Sequence, residues 1–96
     1  MTRHLNSWDR QANEAVRRAI EVEAVTKVPL ADDRARVAAF KDALQREVDA
    51  LYTDDDARLF AHSHAIQTIA ADFEEACATL RKRADALYED AAAKRE

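Results

Sequence analysis

Large apolar residues recur at every seventh position through the last third of the chain. They are Leu59, Ile66, Phe73, Leu80 and Leu87. A second set of small residues follows each of them by four positions: Ser63, Ala70, Cys77, Ala84 and Ala91. Steps of four and three keep both sets on one face of a helix, so the pattern predicts one long helix with an apolar seam. The small side chains would let another helix approach that seam closely.

Two shorter amphipathic helices are predicted before it. The first is expected over 7–27, with Asn6 or Ser7 as its N-cap and Trp8 packed in the core. Val28-Pro29-Leu30 should end it, because proline disfavours helical geometry at the residue before it. The second is expected over 31–52, where Leu30, Val37, Leu44 and Leu51 stand seven residues apart.

The turn before the third helix rests on the phase of the apolar pattern. The second helix would place its next apolar residue at position 58, which is Arg58, whereas the next stripe starts at Leu59. We therefore expect a turn near Thr53 and a third helix over 55–94. A continuous helix with a local skip is the alternative.

Composition agrees with a purely helical fold. The chain has no glycine and one proline, and alanine and long unbranched side chains dominate it. No run of alternating β-branched residues predicts a strand. We expect one all-α domain over 1–96: a helical hairpin followed by a long C-terminal helix.

The lengths of these helices predict self-association. Each of the first two is about half as long as the third, so we expect them to leave part of the apolar seam uncovered towards Leu87, Tyr88 and Ala91. A second copy, packed antiparallel about a two-fold axis, would cover it. A sharp bend of the third helix near His62-Ser63-His64 is the alternative. The expected interface residues are Leu59, Ile66, Ala70, Phe73, Cys77, Leu80, Ala84, Leu87, Tyr88 and Ala91.

Residues 59–71 contain no Asp, Glu, Lys or Arg, in a chain that is 35% charged. This uncharged run suits the middle of a bundle, and an alternative is a small-molecule or metal carrier using Phe60, His62 and Ile69. His62 and His64 are two residues apart, so they point in different directions on a helix and cannot share a metal as an i, i+4 pair could. We predict no metal and no cofactor, and we expect Cys77 to be a buried, inert thiol.

Charge and cysteine content limit the functional classes. The formal net charge of −4 does not suit a nucleic-acid binder. An acidic inhibitor or nucleic-acid mimic, presenting Asp32 and Asp33 with Asp54 to Asp56, is a further alternative. No apolar run reaches the length of a membrane span, no signal-peptide core precedes Ala24, and one cysteine fits a reducing compartment. We expect a cytoplasmic protein, and the excess of arginine over lysine suggests a bacterial origin.

No nucleophile–base pair, phosphate loop or pair of carboxylates indicates an enzyme. The sequence therefore predicts a non-enzymatic interaction module, such as an adaptor, chaperone or assembly subunit. Its expected partners are a second copy of itself and a helix of another protein, with neither nucleic acid nor membrane.

Overall fold

The protein is a bundle of three α-helices. The computed structural model describes the backbone of residues 3–50 and 56–95, and the side chains of residues 7–50 and 60–94. Helix α1 spans Arg3–Thr26, α2 spans Ala31–Ala50 and α3 spans Asp56–Arg95. Those ranges contain no strand. The all-α, three-helix prediction is confirmed, while the turn expected near Thr53 lies outside the described residues.

Helix α1 begins earlier than its capping residues predicted. It starts at Arg3, so Asn6 and Ser7 lie inside the helix and neither is its N-cap. Ser7 instead accepts a 3.4 Å hydrogen bond from Gln11, one turn further along. Capping residues favour a helix start but do not impose one, because the backbone before Ser7 continues in helical geometry.

Helix α1 ends on an unusual backbone conformation. Lys27 has φ of 62°, and its backbone N–H donates to the carbonyl of Glu23 at 2.8 Å. This is the left-handed C-cap that glycine most often provides. The hydroxyl of Thr26 donates to the carbonyl of Val22 and accepts from the backbone N–H of Val28, which secures the turn on both sides.

Charged pairs between the helices establish their directions. Lys41 pairs with Asp9, and Arg34 with Glu23, so α2 runs antiparallel to α1. Two further pairs connect α2 with α3: Arg83 with Asp33, and His62 with Glu47. The later residue on α2 pairs with the earlier residue on α3, so α2 is also antiparallel to α3. Helices α1 and α3 are both antiparallel to α2 and are therefore parallel to each other.

The core lies where α1 and α2 meet the second half of α3. Phe73, Leu80 and Ala84 are completely buried there. The buried apolar residues are Ala12, Ala15, Ala19, Val22, Leu30, Val37, Leu44, Phe73, Ala76, Cys77, Leu80 and Ala84. Trp8 packs against this cluster while remaining partly exposed, which agrees with its predicted place in the core.

The seam of α3 is buried within one copy from Phe73 to Ala84, while Leu87 and Ala91 are half-buried and Tyr88 is 44% exposed. Arg18 of α1 pairs with Asp85 of α3 at 2.9 Å, which places α1 beside the second half of α3. Fifteen residues back along these parallel helices, Arg3 stands level with Ala70. The end of α3 that extends past α1 is therefore its start, before Ala70, and not its C-terminal end.

Candidate interaction surface

The start of α3 is much less buried than the rest of the helix. None of the side chains from Phe60 to Asp72 is buried, whereas five of the twelve from Phe73 to Ala84 are. This change occurs where α1 begins, so α2 is the neighbour that supplies the described contacts at the start of α3. The side of α3 that faces away from both helices is open along this segment.

One stripe on that open side carries an aromatic ring. Phe60, His64, Gln67 and Ala71 are all exposed, and their spacing of four, three and four places them on one face of the helix. We call these four residues the outer stripe. Phe60 is 79% exposed, more than any other large apolar side chain among the described residues.

The neighbourhood of the outer stripe is also uncharged. Ala61, Ser63 and Thr68 are exposed beside it, and the first charged residue after Phe60 is Asp72. The solvent face of α1 is different, because exposed arginine and glutamate alternate along it at Arg10, Glu14, Arg17 and Glu21. Such alternation is typical of a helix face that remains in water. The start of α3 does not follow it.

The opposite side of the same segment of α3 contacts α2. His62 Nδ1 lies 2.6 Å from Glu47 Oε2, and both side chains are half-buried. This partner of His62 could not be predicted from local spacing, because Glu47 is fifteen residues away on another helix. This contact turns His62 towards α2, and therefore turns Phe60, two residues earlier, away from it.

The predicted interface residues separate into groups in the structure. Phe73, Cys77, Leu80 and Ala84 are buried inside one copy, so a second copy cannot reach them without opening the bundle. Four others are half-buried: Ile66, Ala70, Leu87 and Ala91. Tyr88 is 44% exposed, with the guanidinium of Arg18 lying 5.1 Å from its ring centre. The side chain of Leu59 lies outside the described ones.

The residues of the carrier hypothesis do not form a common pocket. Phe60 points to solvent, while His62 and Ile69 are half-buried on the inner side. His64 is exposed on the outer stripe, so the two histidines diverge as their spacing predicted. Within residues 3–50 and 56–95, no group of three or more His, Cys, Asp or Glu side chains is arranged to hold a metal ion.

Cys77 is buried in the core. Burial raises the pKa of its thiol, Arg81 lowers it to a smaller extent, and Glu74 adds a further small increase. The neutral thiol is the less nucleophilic form, so this environment does not activate Cys77.

The acidic residues do not form one surface in the described part of the chain. Asp33 is buried and accepts hydrogen bonds from Arg83 at 2.9 and 3.2 Å, whereas Asp32 is exposed. Asp54 and Asp55, and the side chain of Asp56, lie outside the described residues. Asp33 is therefore engaged within the fold and does not present its charge to a basic partner.

Comparison with known proteins adds no further assignment. No family model matches the chain, and no significant match was found among curated proteins or among solved structures. No helix in the described ranges combines the length and the apolar character that crossing a bilayer requires.

Proposed function

We propose that this protein is a non-enzymatic helical interaction module that self-associates through its third helix, using the start of that helix. The observation that carries the proposal is the exposure of Phe60 at the head of an uncharged outer stripe. A bundle that remained a monomer would gain nothing from a phenyl ring held in water. Aromatic residues are enriched at the centres of protein contacts, and Phe60 is the most exposed large apolar side chain among the described residues.

Energetic considerations support a second copy. Burying one Phe side chain contributes about 1.5–3 kcal/mol, and a symmetric dimer buries two. Ile66 and Ala70 are half-buried against the core of their own copy, so the ring of Phe60 is the main apolar group of this contact. The core is already buried within one copy, so association would use surface that remains exposed in the folded monomer.

The proposed contact differs from the seam predicted from the sequence. The seam around Leu80 is occupied by α1 and α2, which supports residues 60–71 as the surface through which α3 would self-associate. Adaptors, chaperones and assembly subunits all need such a rigid helical surface. The absence of charge on the stripe favours another uncharged helix as the partner.

Sedimentation velocity over a range of micromolar concentrations tests the proposal. We expect the wild-type protein to shift from monomer to dimer as concentration rises, and Phe60→Glu to remain a monomer with unchanged helical circular dichroism. Ile20→Glu is the matched control, because Ile20 is 51% exposed on α1, away from the stripe. A wild-type protein that is monomeric at every concentration would overturn the proposal.

A further inference from the structure

The two-helix end of the bundle has no buried side chain among those that the structure describes. We call this part the thin end and define it as residues 45–50 of α2 and 60–72 of α3. Leu44 is the last buried residue on the described part of α2, and Phe73 is the first on that of α3. Apolar burial is the dominant force that holds helices together, so the thin end is held less strongly than the three-helix part.

A polar contact joins the two helices of the thin end. His62 Nδ1 lies 2.6 Å from Glu47 Oε2. A carboxylate oxygen can only accept, so the imidazole donates from Nδ1. Helix α1 begins level with Ala70, eight residues further along α3, and therefore adds no layer of helix over this contact.

We infer that the thin end opens locally while the three-helix part stays folded, and that the contact between His62 and Glu47 keeps it closed. Local opening is expected where few apolar side chains are buried and the helix surface is open to water. The closed form, which presents the outer stripe, remains the major one. The inference concerns a single copy and does not depend on self-association.

Opening would change the surface that the start of α3 presents. In the closed form Ile66 and Ile69 pack against the core and are half-buried, while Phe60 faces solvent. Separation from α2 would expose both isoleucines on a segment that contains no Asp, Glu, Lys or Arg. The contact between His62 and Glu47 thus controls how much apolar surface this segment exposes.

Hydrogen exchange of the native protein tests the local opening, at a concentration where sedimentation shows a monomer. After correction for intrinsic rates, we expect the backbone amides of residues 62–69 to exchange at least about a hundredfold faster than those of residues 76–84. Equal protection of the two segments would show that α3 opens only with the whole bundle, and the inference would be wrong.

A double-mutant cycle tests the role of the polar contact. His62→Ala and Glu47→Ala should each speed exchange at residues 62–69 by about tenfold, the equivalent of one hydrogen bond to a charged group. The double variant should exchange no faster than either single variant, because all three lack the same contact. Effects that multiply in the double variant would show that the two residues act independently, which contradicts the inference.

His64→Ala is the matched control for that cycle. His64 is exposed two residues further along α3, so its replacement should leave exchange within about twofold of wild type. Exchange as fast as in His62→Ala would show that loss of any histidine here loosens the helix, and the contact with Glu47 would have no special role.

Cys77 shows whether the three-helix part stays closed, because its thiol is buried in the core. Labelling of Cys77 by an aromatic disulfide reagent should be as slow in His62→Ala as in wild type. Labelling that accelerates in step with exchange at residues 62–69 would show that the opening includes the core, and the independence of the thin end would be disproved.

Discussion

Arg83 of α3 donates from Nη1 to both carboxylate oxygens of Asp33, at 2.9 and 3.2 Å, across fifty residues of sequence. Asp33 is the buried charged residue of the described core, whereas most of the Arg83 side chain reaches solvent. Asp33 also stands in the first turn of α2, where the helix dipole favours a negative charge. The pair holds the start of α2 against the second half of α3.

Removing Arg83 should destabilise the fold. Arg83→Ala leaves the buried Asp33 carboxylate without its cation, and we expect a loss of about 1–2 kcal/mol in the free energy of unfolding. Lys82→Ala is the matched control, because Lys82 is exposed and should change stability by less than about 0.5 kcal/mol. Urea denaturation measures both. Equal effects from the two variants would show that the pair does not stabilise the protein.

Replacing Lys27 by glycine should stabilise the protein. Lys27 occupies the left-handed region, which costs a residue with a Cβ about 1–2 kcal/mol and costs glycine almost nothing. We expect Lys27→Gly to raise the free energy of unfolding by about 0.5–1 kcal/mol, after the added chain entropy of the unfolded state is subtracted.

Lys27→Ala is the control for that variant, since alanine removes the charge and retains the Cβ. We expect it to lie close to wild type in thermal and urea denaturation. If alanine stabilises the protein as much as glycine, the lysine charge is responsible and the backbone explanation fails.

The pair between Glu23 and Arg34 should make stability depend on pH in the acidic range. Arg34 donates to both Glu23 oxygens at 2.7 and 3.2 Å, and these hydrogen bonds hold the pKa of Glu23 below its ordinary value of 4.5. Because the folded pKa is depressed, this contribution is complete above pH 4.5 and disappears as pH falls through the folded pKa.

Urea midpoints at several pH values check this expectation. Wild-type protein should exceed Glu23→Gln at neutral pH, and the difference should vanish at about pH 2, where both side chains are uncharged. Glu21→Gln is the matched control, because Glu21 lies two residues before Glu23 on α1 and is exposed. A difference between wild type and Glu23→Gln that persisted unchanged at low pH would contradict the assignment.

Cys77 should report on opening of the bundle. Its thiol is buried and its pKa is raised, so labelling by an aromatic disulfide reagent at neutral pH requires exposure by unfolding. We expect labelling of the folded protein to be at least about a hundredfold slower than in urea. Ala71→Cys in a Cys77→Ala background should react rapidly in the folded state. Rapid labelling of Cys77 would show that the core around Phe73 opens readily.

Much of the fold follows from the spacing of apolar residues. Val37, Leu44, Phe73 and Leu80 stand seven residues apart within their helices, and all four are buried. These positions could be predicted because a seven-residue repeat keeps them on one helix face. Pro29 likewise marked the break between α1 and α2, where the structure leaves residues 27–30 outside any helix.

The axial placement of α1 could not be predicted. It depends on contacts such as Arg18 with Asp85, which are 67 residues apart and lie on exposed faces where any acid could pair with any base. The lengths of the helices predicted that α3 would extend past its neighbours at its C-terminal end. In the structure, the start of α3 is the part that extends past α1. Phe60 did carry a signal, since it lies off the seven-residue seam, but the sequence did not show that α2 would leave that side open.

Because α1 begins level with Ala70, the bundle narrows from three helices to two towards the start of α3. The thick end contains the completely buried side chains, and the thin end carries the outer stripe. The core and the proposed partner contact use different residues, so a substitution at Lys27 could raise the melting temperature without changing Phe60. The same division would let substitutions on the stripe alter partner choice while the core remained unchanged.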